Sequence, residues 1–219
     1  MKKSFQILVL LLFVACGANA QQEKGIIGST NWLSNWTEFK PAKVDYGEPN
    51  QILAGNISTN TKLLKKNVYL LQGAVYVDNN AVLTIEPGTV IIGDFDSGAA
   101  LVITKGASIV ADGLETDSIV FTSNRSVKKA GDWGGIVILG DAPINKFGGV
   151  ASVNYDLDNA LTVYGGNNPV ASSGTLRYVR IEYAGKKVRG SGNFNGLFLG
   201  GVGNKTVIEN VMVSFCAGD

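Results

Sequence analysis

Leu83-Thr84-Ile85-Glu86-Pro87-Gly88-Thr89-Val90-Ile91-Ile92-Gly93 realigns, 18 residues further on, with Leu101-Val102-Ile103-Thr104-Lys105-Gly106-Ala107-Ser108-Ile109-Val110-Ala111. One Leu, two Ile positions and a Gly coincide, and the Gly falls between two short apolar pieces, where a chain must bend and a residue without Cβ bends at least cost. Ile119-Val120-Phe121 aligns with Ile136-Val137-Ile138 at a separation of 17, and Val179, Ile181 and Tyr183 align with Val211, Val213 and Phe215 at 32. Self-similarity at a period of about 18–30 residues, one short strand per side, is the pattern of a β-solenoid. Stacking such coils sets each strand about 4.8 Å above its predecessor in parallel register and buries one side of every coil. In that register Leu83, Ile85, Leu101 and Ile103 form inward ladders.

Working outward, the stretches 68–77, 82–92, 100–110, 119–122, 136–139, 176–183, 197–199 and 207–215 are short β-branched runs cut by Gly, Asn and Asp, and no ten-residue window carries a helical period. The fold class is therefore all-β, a parallel β-helix. A sandwich would show hairpin signals between strands 8–12 residues apart, and the one Asn-Gly, Asn195-Gly196, follows no alternating strand. A closed barrel gives no reason for residues to realign. Residues 63–219 read as roughly six or seven coils. Residues 21–62, with Trp32, Trp36, Phe39 and Tyr46 but no period, read as a capping or linker region over the open N-terminal end. At the other end the apolar strand 207–215 is followed by Cys216-Ala217-Gly218-Asp219. An unpaired apolar edge recruits another strand, so this reading expects further coils beyond the given chain, and end-to-end self-association without them.

Residues 1–20 read as a signal peptide: Lys2 and Lys3, an apolar stretch over 7–15, then Ala18-Asn19-Ala20. The apolar run falls short of the ~20 residues that span a bilayer. Cys16, after Val14-Ala15, offers the alternative of lipid attachment, although Phe13 stands where lipoproteins usually carry Leu. Cleavage at either point leaves Cys216 without an internal disulfide partner. The 219 residues hold 19 Lys and Arg, 18 Asp and Glu and no His. That length suits one large domain. The near-zero charge argues against nucleic acid as a partner, and the absence of His excludes Ser-His-Asp triads and His-based proton transfer.

The repeat just quoted, the block Ser118-Ile119-Val120-Phe121-Thr122-Ser123, the run Gly131-Asp132-Trp133-Gly134-Gly135-Ile136-Val137-Ile138-Leu139-Gly140 and the stretch 176–185 resemble one family. It comprises exported right-handed β-helix proteins, within the pectate-lyase-like superfamily, of Gram-negative bacteria that use type IX secretion. The resemblance spans roughly residues 31–219 and is most specific at Gly-Asp-Trp-Gly-Gly. It implies a right-handed helix and a secreted or outer-surface location, and no particular reaction.

Polysaccharide-degrading β-helices place their sites on an outer sheet face, where hydrolases need paired carboxylates and lyases a Lys or Arg base, often beside calcium. Strand alternation around Val179 and Ile181 turns Tyr178, Arg180 and Glu182 outward. Lys186 and Lys187 follow in a loop within reach of that surface. One coil on, Asn210, Met212, Ser214 and Cys216 add no second acid or base, so the plain alternative is a solvated Arg–Glu pair. Asp94 with Asp96, and Asp156 with Asp158, set carboxylates at i and i+2 in loops. That spacing can serve Ca2+, the one cofactor this sequence suggests, but turn-forming Asp explains it as well. Trp133 in its glycine corner, with Tyr178, could stack on a sugar; a ring folded over the coil edge is the structural alternative. Two functions follow. The first is a non-catalytic exported module that binds glycan or matrix, or serves as a rigid scaffold. The second is a polysaccharide lyase or hydrolase whose site lies partly in further coils.

Overall fold

The computed structural model describes residues 31, 33–190 and 192–218. Residues 1–20, read above as a signal peptide, with Cys16 among them, and Trp32 lie outside the described residues. Asn35–Asp219 form one compact unit, and just before it Ser34 donates its N–H to the Asn31 carbonyl in a turn. No helix among the described residues is long and apolar enough to cross a membrane.

The first coil holds β1 (Gln51–Ile57) and β2 (Thr61–Leu63), and the second β3 (Val68–Val77) and β4 (Val82–Ile85). The third holds β5 (Val90–Gly93), β6 (Ala100–Ile103) and β7 (Ser108–Asp112). β8 (Ile119–Ser123) and β9 (Ile136–Leu139) open the fourth, whose long insertion carries the hairpin β10 (Ala151–Ser152) and β11 (Val163–Tyr164). β12 (Gly174–Glu182) closes the fourth coil and opens the fifth. The fifth continues through the hairpin β13 (Lys187–Val188) and β14 (Gly192–Asn193) to β15 (Leu197–Gly200) and β16 (Val207–Ser214).

These strands stack in parallel as a three-sided β-helix. The first face runs through the N-terminal part of β1, the N-terminal part of β3, β5, β8 and the C-terminal halves of β12 and β16. The ends of β1 and β3 lead the second face, followed by β6, β9 and β15. The third stacks β2, β4, β7 and the N-terminal halves of β12 and β16. Among the described residues the stack thus begins at Gln51, not 63, and makes five coils with the start of a sixth, fewer than the six or seven the sequence suggests.

The 32-residue alignment is a true ladder: Val179 stacks on Val211 and Ile181 on Val213. The 18-residue alignment is not. Leu83 stacks on Ile109, while Leu101 lies between Val75 and Ile136, so the two quoted stretches belong to different faces. Ile119 and Ile136 begin successive strands of one coil. Coil lengths explain the mismatch. The step on the first face is 18 residues from Gln51 to Tyr69, 22 from Val68 to Val90, 30 from Val90 to Val120 and 60 from Ile119 to Val179. Loops absorb the added residues while each strand keeps the same inward aliphatic pattern, so a fixed offset matches strands of unlike faces.

The inward direction survives this change. Leu83, Ile85, Leu101 and Ile103 all sit in the main core. Ile103 is 0% exposed and stacks between Val77 and Ile138. Ile103→Ala should therefore cost about 2–5 kcal/mol in urea unfolding, and a loss under about 0.5 kcal/mol would contradict its buried place.

Four strands turn a corner without ending: β1 at Gly55 and β3 at Gly73 pass from the first face to the second, and β12 and β16 pass from the third to the first. β12 does so at Tyr178 (φ 48°) and β16 at Asn210 (φ 52°), one coil apart. A single left-handed residue redirects the chain from the third face to the first. Tyr183 (φ 61°) and Phe215 (φ 54°) make the next corner and shift the alternation by one. Alternation continued from Val179 and Ile181 would turn Tyr183 inward; instead it stacks on Phe215 at 5.6 Å, and Ala184 enters the core. Cys216, expected outward, packs against that core for the same reason.

The 140–173 insertion covers the outer side of the second face. Its Val153, Leu157, Leu161 and Tyr164 join outward Tyr76, Val102, Val137 and Phe198 in a second, smaller core.

Candidate functional site

Arg180 and Glu182 leave β12 on the outer side of the first face, but water does not reach them freely: their side chains are 13% and 1% exposed. The cover is the segment 35–50, which lies along the first face. Trp36 meets the corner residue Tyr178 edge-on at 5.8 Å, and its carbonyl accepts hydrogen bonds from Ser118 Oγ at 3.2 Å and Arg180 Nη1 at 3.4 Å. Trp36 therefore packs beside the fourth and fifth coils and not over the first, where a cap would lie. Phe39 is 63% exposed. Tyr178, proposed for stacking, is taken up by Trp36.

Tyr46 closes the arrangement. Its hydroxyl donates to both Glu182 oxygens, at 2.9 and 3.1 Å, and accepts from Arg180 Nη2 at 3.1 Å. Arg180 Nε lies 3.4 Å from Glu182 Oε1. Burial pushes the Glu182 carboxyl above its ordinary range, against the opposing pull of Arg180 and the Tyr46 bond. The Tyr46 phenol is likewise pushed up, by burial and then by the Glu182 charge. The sequence reading of a solvated pair is thus corrected: the pair faces outward yet is sealed beneath a segment more than 130 residues away in the chain.

Lys186 and Lys187 do not join this set. Lys186 extends over Gly98, in the turn between β5 and β6, and Lys187 is exposed on β13. Trp133 is 0% exposed, stacks on Phe121 at 6.4 Å and donates its Nε1 hydrogen to the Glu182 carbonyl at 2.8 Å. It fills the corner between the first and second faces and presents no ring to a sugar.

The acidic pairs are turn residues. Asp94 is buried and accepts from the Ser97 N–H at 3.1 Å and from Asn124 Nδ2 at 2.6 Å. Burial works against its charge, but these bonds outweigh it and hold the carboxyl below its ordinary value. Asp96 is exposed. Asp156 takes φ 54°, and Asp158 accepts the Ala160 N–H at 2.8 Å. Among the described residues no three His, Cys, Asp or Glu side chains are grouped to hold a metal ion.

Sequence reasoning missed the cleft beside the buried set. It holds about 270 Å³ between the segment and the outer first face, and Asp45, Tyr46, Glu48, Thr122, Arg125 and Lys128 help line it. Arg125 lies 4.3 Å from the Phe95 ring centre and pairs with buried Asp132 at 3.0 Å. Asp132 also accepts Ser123 Oγ at 2.7 Å and the Lys129 N–H at 2.9 Å. The Gly-Asp-Trp-Gly-Gly block thus anchors a cleft wall through its Asp and a coil corner through its Trp. A second groove, of about 360 Å³, lies on the outer second face and is lined by Tyr155, Tyr164 and Phe198. No sequence signal marked it, since its rings come from one loop and two strands well separated in the chain.

No curated protein and no solved structure matches the chain significantly. A family model described as a pectate-lyase-like β-helix domain matches residues 55–219. That match covers well over half of the sequence and coincides with the coil stack, so the chain belongs to the pectate-lyase-like β-helix domain family.

Proposed function

We propose that this chain is a non-catalytic, exported β-helix module that binds glycan or presents a rigid scaffold at the outer surface of a Gram-negative bacterium. One observation carries the reading. Glu182, the outward β12 carboxylate that the sequence offers as a catalytic group, has both oxygens occupied by Tyr46 and its charge met by Arg180. A general acid or base must reach the proton that it transfers, and this one is closed off. Incubation with a panel of acidic and neutral polysaccharides should show binding with no new reducing ends and no unsaturated uronate. Release of either product would overturn the reading.

A lyase or hydrolase is the second reading. The cleft favours it, because Arg125 and Lys128 stand there beside Asp45 and Glu48, cations and carboxylates together on the outer first face.

A further inference from the structure

We propose that the groove on the outer second face is a binding site for an uncharged carbohydrate chain, whose sugar faces stack on Tyr164, Phe198 and Tyr155. The inference rests on the glycan-binding reading and assigns it a place and a ligand class. The groove lies between the 140–173 insertion, which contributes Ser152, Asn154, Tyr155 and Tyr164, and the tip of the β13–β14 hairpin at Gly190, with Phe198 of β15 between them. Its volume of about 360 Å³ falls within the usual range for small-ligand sites.

The rings are held in place before any ligand arrives. Tyr155 packs on buried Phe194 at 4.4 Å and meets Phe198 at 5.8 Å and 76°. Tyr164 meets the other side of Phe198 at 5.8 Å and 73°. The Tyr155 hydroxyl donates to Asn195 Oδ1, which fixes that ring at its far end. A binding surface of rigid rings loses little conformational freedom on binding.

The lining selects the ligand. Among the described residues no Asp, Glu, Lys or Arg lines the groove, so none of them compensates the charge of a uronate, whose desolvation would go unrepaid. A pyranose has an apolar face of C–H groups for an aromatic ring and an equatorial belt of hydroxyls. Ser152, exposed on the groove wall, is a hydrogen-bonding group for that belt. The groove therefore differs in chemistry from the cleft on the first face, which carries both signs of charge.

Affinity gel electrophoresis of the chain in glucan, xylan, mannan and polygalacturonate tests the proposal. At least one neutral polysaccharide should retard the wild type, with polygalacturonate doing so far less. Tyr164→Ala should weaken retardation about 10-fold, and Tyr164→Phe should preserve it. Ser152→Arg, at an exposed position, fills the groove with bulk and charge without touching the core, and should abolish retardation even if Tyr164→Ala fails to fold. Unchanged retardation of Ser152→Arg and Tyr164→Ala would overturn the groove while leaving glycan binding in place. Retardation by polygalacturonate alone would overturn the ligand class, and retardation by none would overturn both this inference and the reading beneath it.

Discussion

Trp133→Ala should destabilise the chain by about 3–5 kcal/mol, the range for removing a large buried ring from a site that cannot collapse. The site is rigid for reasons visible in its neighbours. A Cβ on Gly93 would lie 2.6 Å from Trp133 Cγ, so the ring already touches backbone of the coil before it. A Cβ on Gly134 would meet Ala100 at 2.9 Å, and one on Gly135 would meet the Asn195 carbonyl at 2.4 Å. The glycines of this block thus let the fourth coil pass between the third and the fifth at close range. Loss of the indole would also leave the Glu182 carbonyl without its Nε1–H donor, an added penalty for a buried acceptor. Thermal or urea unfolding checks this. A cost under about 1 kcal/mol would show that the corner relaxes.

Glu182→Ala should cost about 3–5 kcal/mol, because it strands Arg180 as an uncompensated buried charge. Replacing both residues, as Arg180→Leu with Glu182→Leu, should cost less than Glu182→Ala alone, since neither charge then remains to be buried. The pH dependence follows from the direction of the shift. Glu182 is raised by burial, so its contribution is full below the ordinary Glu range and is lost as pH rises through the higher folded value. Wild-type stability should therefore fall across that window, and Glu182→Gln should flatten the curve. Equal slopes for the two proteins would show that Glu182 does not govern it.

How much of this was legible in the sequence depends on range. Alternation is local, so the inward placing of Ile103 and the outward placing of Arg180 and Glu182 could be read from a few residues. The 32-residue ladder could be read because residues 179–181 and 211–213 occupy the same face in adjacent coils. The 18-residue match misled because an aliphatic strand on one face is chemically like one on another. Corners at Tyr178 and Tyr183 were hidden because left-handed φ at a non-glycine residue has no compositional mark. The sealed pair was hidden for another reason. Tyr46 and Glu182 are 136 residues apart, and no pattern within either segment tells that one will cover the other. Trp133, weighed as a sugar platform or a coil-edge ring, lies buried in its corner, where Gly93 opposite leaves room for the indole.

Tyr46, Arg180 and Glu182 form a structural clamp that holds the 35–50 segment on the first face. A double-mutant cycle of Tyr46→Phe and Glu182→Gln, measured by urea unfolding at neutral pH, tests it most directly. The clamp predicts a coupling energy of about 0.5–3 kcal/mol, the double variant losing clearly less than the sum of the single losses. Losses that add within about 0.3–0.5 kcal/mol would contradict it, showing that the two side chains do not act together and that the carboxylate is free for another role.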